Sequence, residues 1–331
     1  MSGSAQGLID RFGRRHNYLR ISLTDRCNLR CTYCMPANGI DWTPQEQLLT
    51  TPEILRLAQL FVSLEIDKIR LTGGEPLMNR DIKIIVEHLA RLPGLRTLAL
   101  TTNALKLGGM AQELRQNGLS SVTISLDSLK EDVFAAMTRR RRLADVMRGI
   151  EAAIAAGFDP VKINIVVMNN VNDGEILDFV EWGKDKPVDL RFIEYMPFPD
   201  TQWKKAGLLP YAEMRSRIDA RYPLEAAPGS ASDVGKSYRV GGHRAMVSFI
   251  SSMTESFCGS CNRLRLTADG NIKACLFHPA EKSLRDVMRA GGSDGDLKQV
   301  IFDALQGKPE AHAQMDELLA IGNRTMIAIG G

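Results

Sequence analysis

This sequence of 331 residues has no long apolar run and little excess of charge of either sign. No stretch approaches the roughly 18 consecutive apolar residues of a membrane-spanning helix, and the opening segment MSGSAQGLIDRFGRRHNYL has no apolar core like that of a secretory signal. The 42 basic and 39 acidic residues give no bulk reason to expect nucleic-acid binding. We therefore expect a cytoplasmic protein that binds neither membrane nor nucleic acid. An organellar transit peptide is the weaker alternative, suggested by the early arginines.

Cysteines are few, and their spacing does not suit a framework of disulfides. The six cysteines form two sets of three, which are Cys27, Cys31 and Cys34 in the stretch CNLRCTYC, and Cys258, Cys261 and Cys275. A structural zinc site usually has four ligands, and the first triplet has no fourth Cys or His beside it. Three thiolates on a four-iron cluster leave one iron open to another ligand. The first triplet therefore favours a [4Fe-4S] cluster, with zinc as the alternative.

Runs rich in β-branched residues alternate along the chain with stretches of helical spacing. The six predicted strands are 18–24, 66–72, 96–102, 121–127, 161–168 and 188–196. A helix is predicted over 51–64, with Pro52 just inside its start, and another over 143–157, closing at Gly157. This order predicts a parallel sheet, either an incomplete (β/α) barrel or an open doubly wound sheet. In both architectures ligands bind at the carboxyl ends of the strands.

The pattern changes near Tyr222, where a stretch rich in Gly, Pro, Ser and Ala begins. Beyond it, RAMVSFISSM predicts a strand, and NRLRLTADGNIKACLF predicts a hairpin around the turn ADGN. Two helical stretches follow, over 281–291 and 294–307. We therefore predict one domain over 10–222 and a smaller α+β domain over 223–331.

The stretch CNLRCTYC, with an aromatic residue before its last cysteine, resembles the signature of the radical S-adenosylmethionine enzymes, and GGEP after the second predicted strand resembles a cofactor-binding segment of that family. The resemblance implies an incomplete (β/α)6 barrel whose first triplet holds a [4Fe-4S] cluster. It also implies S-adenosylmethionine as the source of a 5′-deoxyadenosyl radical. The cofactor-binding residues implied by it are Tyr33, Gly73, Gly74, Glu75, Ser125 and Met196.

The stretch FCGSCNRLRLTADGNIKACLF resembles those members of the family that carry a second [4Fe-4S] cluster and cyclise GTP in the synthesis of the molybdenum cofactor. The second triplet is then expected to hold that cluster in the carboxyl-terminal extension. The GTP-binding residues implied by the resemblance are Arg20, Arg70, Thr101, Lys162, Arg191, Arg263 and Arg265. Roles in the reaction are implied for Arg263, Arg265 and the terminal glycines, Gly330 and Gly331.

Most of these cations fall within predicted strands, which is unusual because a buried charge without a partner is costly. A polyanion inside the barrel would explain them, and solvent-facing strand positions are the alternative. Arginine suits a triphosphate because its planar group donates paired hydrogen bonds to phosphate oxygens. The run from Arg139 to Arg142 is predicted to be a solvated charged segment between two helices.

The implied partners besides GTP are an electron donor such as flavodoxin or ferredoxin, and cyclic pyranopterin monophosphate synthase, the next enzyme, as acceptor of the product. A homodimer is left open. Two alternatives are a radical enzyme that modifies a peptide and a non-catalytic zinc or electron-transfer protein.

Two loop residues, Ala104 and Asn170, stand where the family commonly has glycine. Alanine would fit if its φ is negative, and asparagine tolerates a left-handed conformation.

Overall fold

The computed structural model describes residues 7–36, 38–199, 201, 203–229 and 234–330. Its first part repeats a strand followed by a helix, in the order that the sequence predicts. The strands are β1 (Tyr18–Ser22), β2 (Lys68–Thr72), β3 (Thr97–Thr102), β4 (Ser121–Ser125), β5 (Val161–Val167) and β6 (Val188–Glu194). The helices are α1 (Thr51–Ser63), α2 (Ile82–Ala90), α3 (Ala111–Gln116), α4 (Glu131–Thr138), α5 (Leu143–Ala155), α6 (Ile176–Gly183) and α7 (Tyr211–Asp219). All six predicted strands are therefore confirmed.

The carboxyl-terminal part adds short strands and three helices. These elements are β7 (Leu224–Ala226), β8 (Lys236–Val240), β9 (Met246–Ile250), β10 (Arg263–Leu266), β11 (Asn271–Lys273), β12 (Lys282–Ser283), α8 (Leu284–Arg289), α9 (Asp294–Gln306) and α10 (Met326–Ile329). The predicted hairpin is confirmed, because β10 and β11 pair antiparallel across the turn at Gly270. The helical stretches predicted here correspond to α8 and α9.

The twelve strands of the described residues form one sheet in the order β12-β11-β10-β1-β2-β3-β4-β5-β6-β9-β8-β7. The six strands β1 to β6 are parallel neighbours, as in an incomplete barrel. On one side β10 pairs parallel with β1, and on the other β9 pairs parallel with β6. The carboxyl-terminal strands thus extend the barrel sheet at both edges, and the sheet is continuous across the predicted domain boundary.

Helix α1 shows how local sequence defines an element at the barrel surface. Thr50 and Glu53 form a capping box, in which each side chain accepts a hydrogen bond from the other's backbone amide. Pro52 lies in the first turn, as predicted, where the missing amide hydrogen costs little. The buried residues of this helix include Leu57 and Phe61 on one face, which packs on the sheet core.

Alternation along the strands separates the core from an interior cavity. Leu19 and Ile21 of β1 are fully buried in the main apolar core between sheet and helices. Tyr18 and Arg20 alternate with them and line the cavity on the opposite face. The arginine of this strand therefore lies inside the barrel rather than in solvent.

A second, smaller apolar core holds the end of the chain. Its buried members are Phe198, Phe277, Leu318 and Ile329, and the rings of Phe198 and Phe277 stack with centroids 5.7 Å apart. Because Ile329 is buried here, the residue after it is brought to the barrel.

The two positions that depart from glycine both adopt positive φ, at 62° for Ala104 and 61° for Asn170. Asparagine behaves as predicted. The condition of a negative φ is not met at Ala104, where a left-handed conformation costs an alanine about 1–2 kcal/mol. Ala104 is fully buried against Gly149 of α5, where the surrounding packing holds it in place.

Candidate active site

One cavity of about 450 Å³ lies inside the barrel and is lined by both cysteine triplets. Every residue that the sequence assigns to cofactor or GTP binding also lines it, from the GGEP segment to the arginines of β10. Cationic side chains outnumber acidic ones in this lining, where the carboxylates are Glu75, Asp127 and Asp189. The sequence therefore identified a set of residues that the fold brings together.

The first cysteine triplet lies on the loop after β1 and is held by the end of α4. The amide of Arg30 donates to the carbonyl of Thr138 at 3.0 Å, and the amide of Thr32 donates to that of Met137 at 2.8 Å. Arg139 adds a bond from Nη1 to the carbonyl of Arg30 at 2.8 Å. The prediction of a solvated arginine run is wrong for Arg139, because the turn after α4 brings it against the cysteine loop.

The GGEP segment after β2 packs on the start of that same loop. The amide of Gly74 donates to the carbonyl of Thr24 at 2.6 Å, and the amide of Glu75 donates to that of Arg26 at 2.7 Å. A Cβ on Gly74 would lie 2.2 Å from the Arg26 carbonyl oxygen, so no other residue fits without a shift of the backbone. The close approach that requires glycine here is therefore to the cysteine loop.

The carboxylate of Glu75 is fully committed to protein donors. It accepts from the amide of Leu77 at 3.0 Å, from Thr102 Oγ1 at 2.7 Å and from the amide of Asn103 at 2.7 Å. Burial raises the pKa of this carboxyl group. These bonds join the loops after β2 and β3 and place the side chain of Asn103 beside Cys27.

The first triplet fits an iron–sulfur cluster better than a single ion. Cys27 Sγ accepts hydrogen bonds from the amide of Leu29 at 3.4 Å and from Asn103 Nδ2 at 3.8 Å, and such bonds tune cluster sulfurs. Burial raises the pKa of the Cys27 thiol to about 11, so a bound metal is needed to ionise it at neutral pH. Three thiolates on a four-iron cluster leave one iron open to a further ligand, whereas a structural zinc ion usually takes four protein ligands.

Three arginines form a row across neighbouring strands because β10, β1 and β2 pair in register. Arg265 is opposite Arg20, and Arg20 is opposite Arg70. Burial and the neighbouring cations lower the pKa of Arg20 to about 10 and that of Arg265 to about 9. An anionic ligand between these side chains would relieve their mutual repulsion.

Arg70 also organises the adjoining strands and Tyr18. Its Nη1 donates to Thr123 Oγ1 at 2.8 Å and to Thr101 Oγ1 at 3.1 Å, and its Nε donates to Tyr18 Oη at 2.6 Å. Burial alone would raise the pKa of Tyr18, but Arg70, Arg20 and Lys68 outweigh it and lower that pKa to about 6. The sequence did not identify Tyr18 or Lys68, since a tyrosine at a strand start is typical of a core. The cations around the Tyr18 hydroxyl therefore favour a negatively charged group in this part of the cavity.

The opposite wall of the cavity carries Lys162 and Arg191. Lys162 lies opposite Asp189 in the register of β5 and β6, and Arg191 Nε lies 3.8 Å from an Asp189 carboxylate oxygen. Burial, followed by the charge of Arg191, lowers the pKa of Lys162. This wall therefore adds cationic groups that face the arginine row across the barrel.

Tyr33 and Asp127 form a pair beside the first triplet. Tyr33 Oη donates to Asp127 Oδ2 at 2.7 Å, and Asp127 Oδ1 accepts from the amide of Val166 at 2.9 Å. Burial raises the pKa of Asp127 to about 6. Ser125 lies on the same strand end, and Met196 lies between the cavity and the smaller apolar core. Asp127 lies two residues after β4, and because polar residues are common in the turns that follow strands, the sequence did not distinguish it from its neighbours.

The second triplet lies at the other end of the strands. Cys258 and Cys261 precede β10, which runs parallel to β1, whereas the first triplet follows β1. Cys261 Sγ accepts from Arg263 Nη2 at 3.4 Å and from Lys308 Nζ at 3.3 Å. Burial alone would raise the pKa of Cys261, but these two cations lower it to about 6. A three-thiol site with cationic donors fits a cluster in which the sulfur ligands are thiolates.

The last described residue, Gly330, packs against the ends of β1 and β2 and bonds to Arg265, which lines the cavity. The carbonyl oxygen of Gly330 accepts from Arg265 Nη1 at 3.2 Å and from Thr72 Oγ1 at 3.4 Å. Gly330 has φ +84°, and a Cβ on it would lie 2.6 Å from Ser22 Cβ. Glycine is therefore required by conformation and by space. Gly331 lies outside the described residues.

Two family models match the chain, the Radical SAM superfamily over residues 21–183 and Molybdenum Cofactor Synthesis C over residues 188–314. The barrel, the cysteine loop after β1 and these matches define a radical S-adenosylmethionine enzyme.

Relatives narrow that class. The chain is 50% identical to "GTP 3',8-cyclase, mitochondrial" of Arabidopsis thaliana over 98% of its own length and 83% of the relative's. It is also 50% identical to "Molybdenum cofactor biosynthesis protein 1" of Mus musculus, covering 98% of this chain and 51% of the mouse protein, so it spans about half of that relative. The chain belongs to the GTP 3′,8-cyclase family of radical S-adenosylmethionine enzymes.

A solved structure supports the fold over nearly the whole chain. The crystal structure of Streptococcus suis SuiB bound to precursor peptide SuiA matches with a TM-score of 0.61 and 14% identity, over 96% of this chain and 75% of that one. Identity this low bears on the fold alone. In the part of the chain that the structure describes, no helix has the length and apolar character needed to cross a bilayer. The cytoplasmic location stays a prediction.

Proposed function

We propose that this enzyme converts GTP to (8S)-3′,8-cyclo-7,8-dihydro-GTP, the first step of molybdenum cofactor biosynthesis. The observation that carries the proposal is that both cysteine triplets line the same cavity, which also contains arginines brought together by strand register. A peptide substrate would not need so many buried cations, whereas a triphosphate would balance them.

Each triplet would hold a [4Fe-4S] cluster, the first with S-adenosylmethionine beside Tyr33, the GGEP segment, Ser125 and Met196. When bound, the first cluster and its cofactor would supply a 5′-deoxyadenosyl radical able to take the C3′ hydrogen of the GTP ribose, and closure of the C3′–C8 bond would then need one electron and one proton from outside. The protein contributes position, charge and exclusion of water.

The chain's own residues act by binding and orienting. Arg20, Arg70 and Arg265 lie side by side because their strands pair in register. The guanidinium groups of Arg70 and Arg265 are held by threonine hydroxyls and by the Gly330 carbonyl, respectively, so these two side chains lose little freedom when phosphate binds. Lys162 and Arg191 would bind from the facing wall. Arg263 approaches Cys261 and would place the guanine end near the second triplet.

The docked tail would close the cavity. Gly330 is joined through its carbonyl to Arg265 and Thr72, so it links a GTP-binding arginine to the strand that leads into GGEP. We propose that Gly330, with Gly331 beyond it, keeps Arg265 oriented and limits access of water during the reaction.

The electron would come from a donor such as flavodoxin or ferredoxin, and the product would pass to cyclic pyranopterin monophosphate synthase. We also propose that residues 10–222 form the barrel domain and residues 223–331 the smaller cluster-binding domain, and that two copies of the chain can form a homodimer.

The test is an anaerobic assay of the protein reconstituted with iron and sulfide, given S-adenosylmethionine, GTP and a strong reductant. Mass spectrometry should detect 5′-deoxyadenosine and a cyclised GTP product that appear together. Arg20→Met should raise KM for GTP strongly, because it removes the centre of the arginine row, whereas Arg11→Met, an exposed cation outside the cavity, is the matched control.

Formation of 5′-deoxyadenosine with GTP unchanged would contradict the proposed substrate and favour the peptide alternative. A protein that binds zinc in place of iron and cleaves nothing would contradict the radical chemistry as a whole.

A further inference from the structure

Lys308 is a buried lysine beside the second cysteine triplet that neither the sequence motifs nor the proposed GTP site includes. Only 3% of it is exposed, and its Nζ donates to Cys261 Sγ at 3.3 Å, to the carbonyl of Arg263 at 2.9 Å and to His16 Nε2 at 2.9 Å. An ammonium group has three donors, so all three are used. Cys261 lines the cavity whereas Lys308 is not among the described lining residues, so the lysine contacts the sulfur from the side that faces away from the cavity.

His16 is a neutral acceptor in this arrangement. Its Nδ1 lies 2.9 Å from the carbonyl of Arg14, which must receive a proton from it, and this leaves Nε2 to accept from Lys308. Burial, followed by the charge of Lys308, lowers the pKa of His16 to about 3. The hydrogen-bond partners of the ammonium are thus a neutral ring, a carbonyl and a cysteine sulfur. The nearby Asp10 carboxylate, 3.8 Å from His16 Nε2, is already paired with Arg14, so the sulfur ligand is the negative group in direct contact with the ammonium.

The position of Lys308 is fixed by the amino-terminal segment. Asp10 pairs with Arg14 at 2.6 Å, and Arg14 Nη1 donates to the carbonyl of Cys258 at 2.9 Å and to that of Glu310 at 2.6 Å. Arg14 Nη2 donates to the carbonyl of Pro309 at 2.8 Å. The same guanidinium therefore ties the cysteine turn to the residues that follow Lys308, which limits relative movement of the lysine and the sulfur.

We propose that Lys308 is a positioning residue that hydrogen-bonds the Cys261 ligand of the second cluster and makes that cluster easier to reduce. One-electron reduction, by a low-potential one-electron donor, adds one negative charge to the cluster. A buried cation at the sulfur stabilises this reduced form more than the oxidised form. The inference rests on the proposed function in one respect, namely that the second triplet carries a cluster.

The test is an anaerobic redox titration of the fully loaded, full-length protein, followed by EPR. Two one-electron steps are expected, and the step lost in Cys258→Ser belongs to the second cluster. Lys308→Met should move that step to a more negative potential and leave the other step in place. Lys308→Gln keeps a hydrogen-bond donor without the charge and should give a smaller movement in the same direction.

Lys273→Met is the matched control. Lys273 is also buried, is the last residue of β11 two positions before Cys275, and donates to the carbonyl of His278, but its charge is balanced by Glu281 at 3.4 Å. It should shift the second step less than Lys308→Met does. KM for GTP should rise in Arg263→Met, whose side chain lines the cavity, and should change less in Lys308→Met, because Lys308 lies outside the cavity lining.

Two steps in the wild type with no movement in either Lys308 variant would overturn the inference and leave the proposed function intact. Loss of the second cluster from both variants, seen as halved iron content, would also overturn it, because Lys308 would then be a structural anchor only. A wild type with a single step and about four irons per chain would contradict the second cluster itself, and with it the proposed function.

Discussion

Replacement of Gly330 by alanine should release the carboxyl-terminal tail from the barrel. The carbonyl of Gly330 accepts from the charged Arg265, a bond worth about 1.5–3 kcal/mol. A Cβ would lie 2.6 Å from Ser22 Cβ and 2.9 Å from Ser22 Oγ, so the backbone must move and this bond is lost or lengthened. A left-handed conformation adds about 1–2 kcal/mol of strain for alanine.

Together these effects disfavour docking by about 3 kcal/mol, which lowers the ratio of docked to released tail roughly 100-fold. If the docked tail is the active form and wild-type docking is favoured by no more than about 1.4 kcal/mol, cyclisation of GTP should therefore fall about tenfold or more. The assay is the anaerobic rate of product formation, with 5′-deoxyadenosine measured separately and the carboxyl terminus free of any tag.

Alanine substitutions at two other glycines separate the effect of the steric clash from that of the left-handed conformation. Gly322 has φ +69° with nothing within 4 Å of its Cβ position, so Gly322→Ala introduces strain without a clash. Gly307 has φ −76° and ordinary contacts, so Gly307→Ala introduces neither. Activity should be near wild type for Gly307→Ala and lowest for Gly330→Ala. Equal activity of these two variants, or equal loss at Gly322 and Gly330, would refute the reasoning from tail docking.

Three further predictions concern stability and iron. Glu53 forms a two-pronged pair with Arg289 of α8, which lowers the pKa of Glu53 to about 2. The stabilising effect of this pair is therefore complete above the ordinary pKa of 4.5 and is lost as the pH falls towards 2. In urea unfolding, Glu53→Gln should lower the free energy of unfolding by up to about 1 kcal/mol at neutral pH, and the difference from wild type should disappear in acid. Gly149→Ala should destabilise by about 1–2 kcal/mol in the same assay, because its Cβ would lie 2.5 Å from the Ala104 carbonyl oxygen and this outweighs the gain in helix propensity; a stabilised variant would contradict that contact. Cys27→Ser should lower the iron content from about eight to about four per chain, and unchanged iron would contradict its role as a ligand.

The barrel and the residues around its cavity could be predicted because their signals are local. Strands and helices alternate in type and period, and polar motifs such as GGEP follow strands whose carboxyl ends share an edge. Arg20 and Arg265 could be assigned only by resemblance, since their being neighbours depends on the register of strands that are far apart in sequence. Strand pairing between β10 and β1 leaves no trace in local pattern.

Other features were missed for related reasons. Lys308 has no motif around it and acquires its contacts because the segment after α9 packs against the amino-terminal residues and the second cysteine triplet. Tyr18 was not identified because a tyrosine at the start of a strand is typical of a core residue. Its lowered pKa and its hydrogen bond both come from Arg70 on the neighbouring strand, a contact that the local sequence does not show. The positive φ of Ala104 could not be expected from an alanine, because tertiary packing against α5 overrides its local preference.

The sheet order also bears on how this chain is made. Strand β1 is synthesised early, yet one of its two neighbours, β10, begins at Arg263, and β6 likewise waits for β9. Until those strands leave the ribosome, the nascent barrel has two open edges, which are the surfaces that most readily pair with other chains. Removing the carboxyl-terminal part would therefore not release a self-sufficient cofactor-binding half; it would leave that half with its first and last strands exposed.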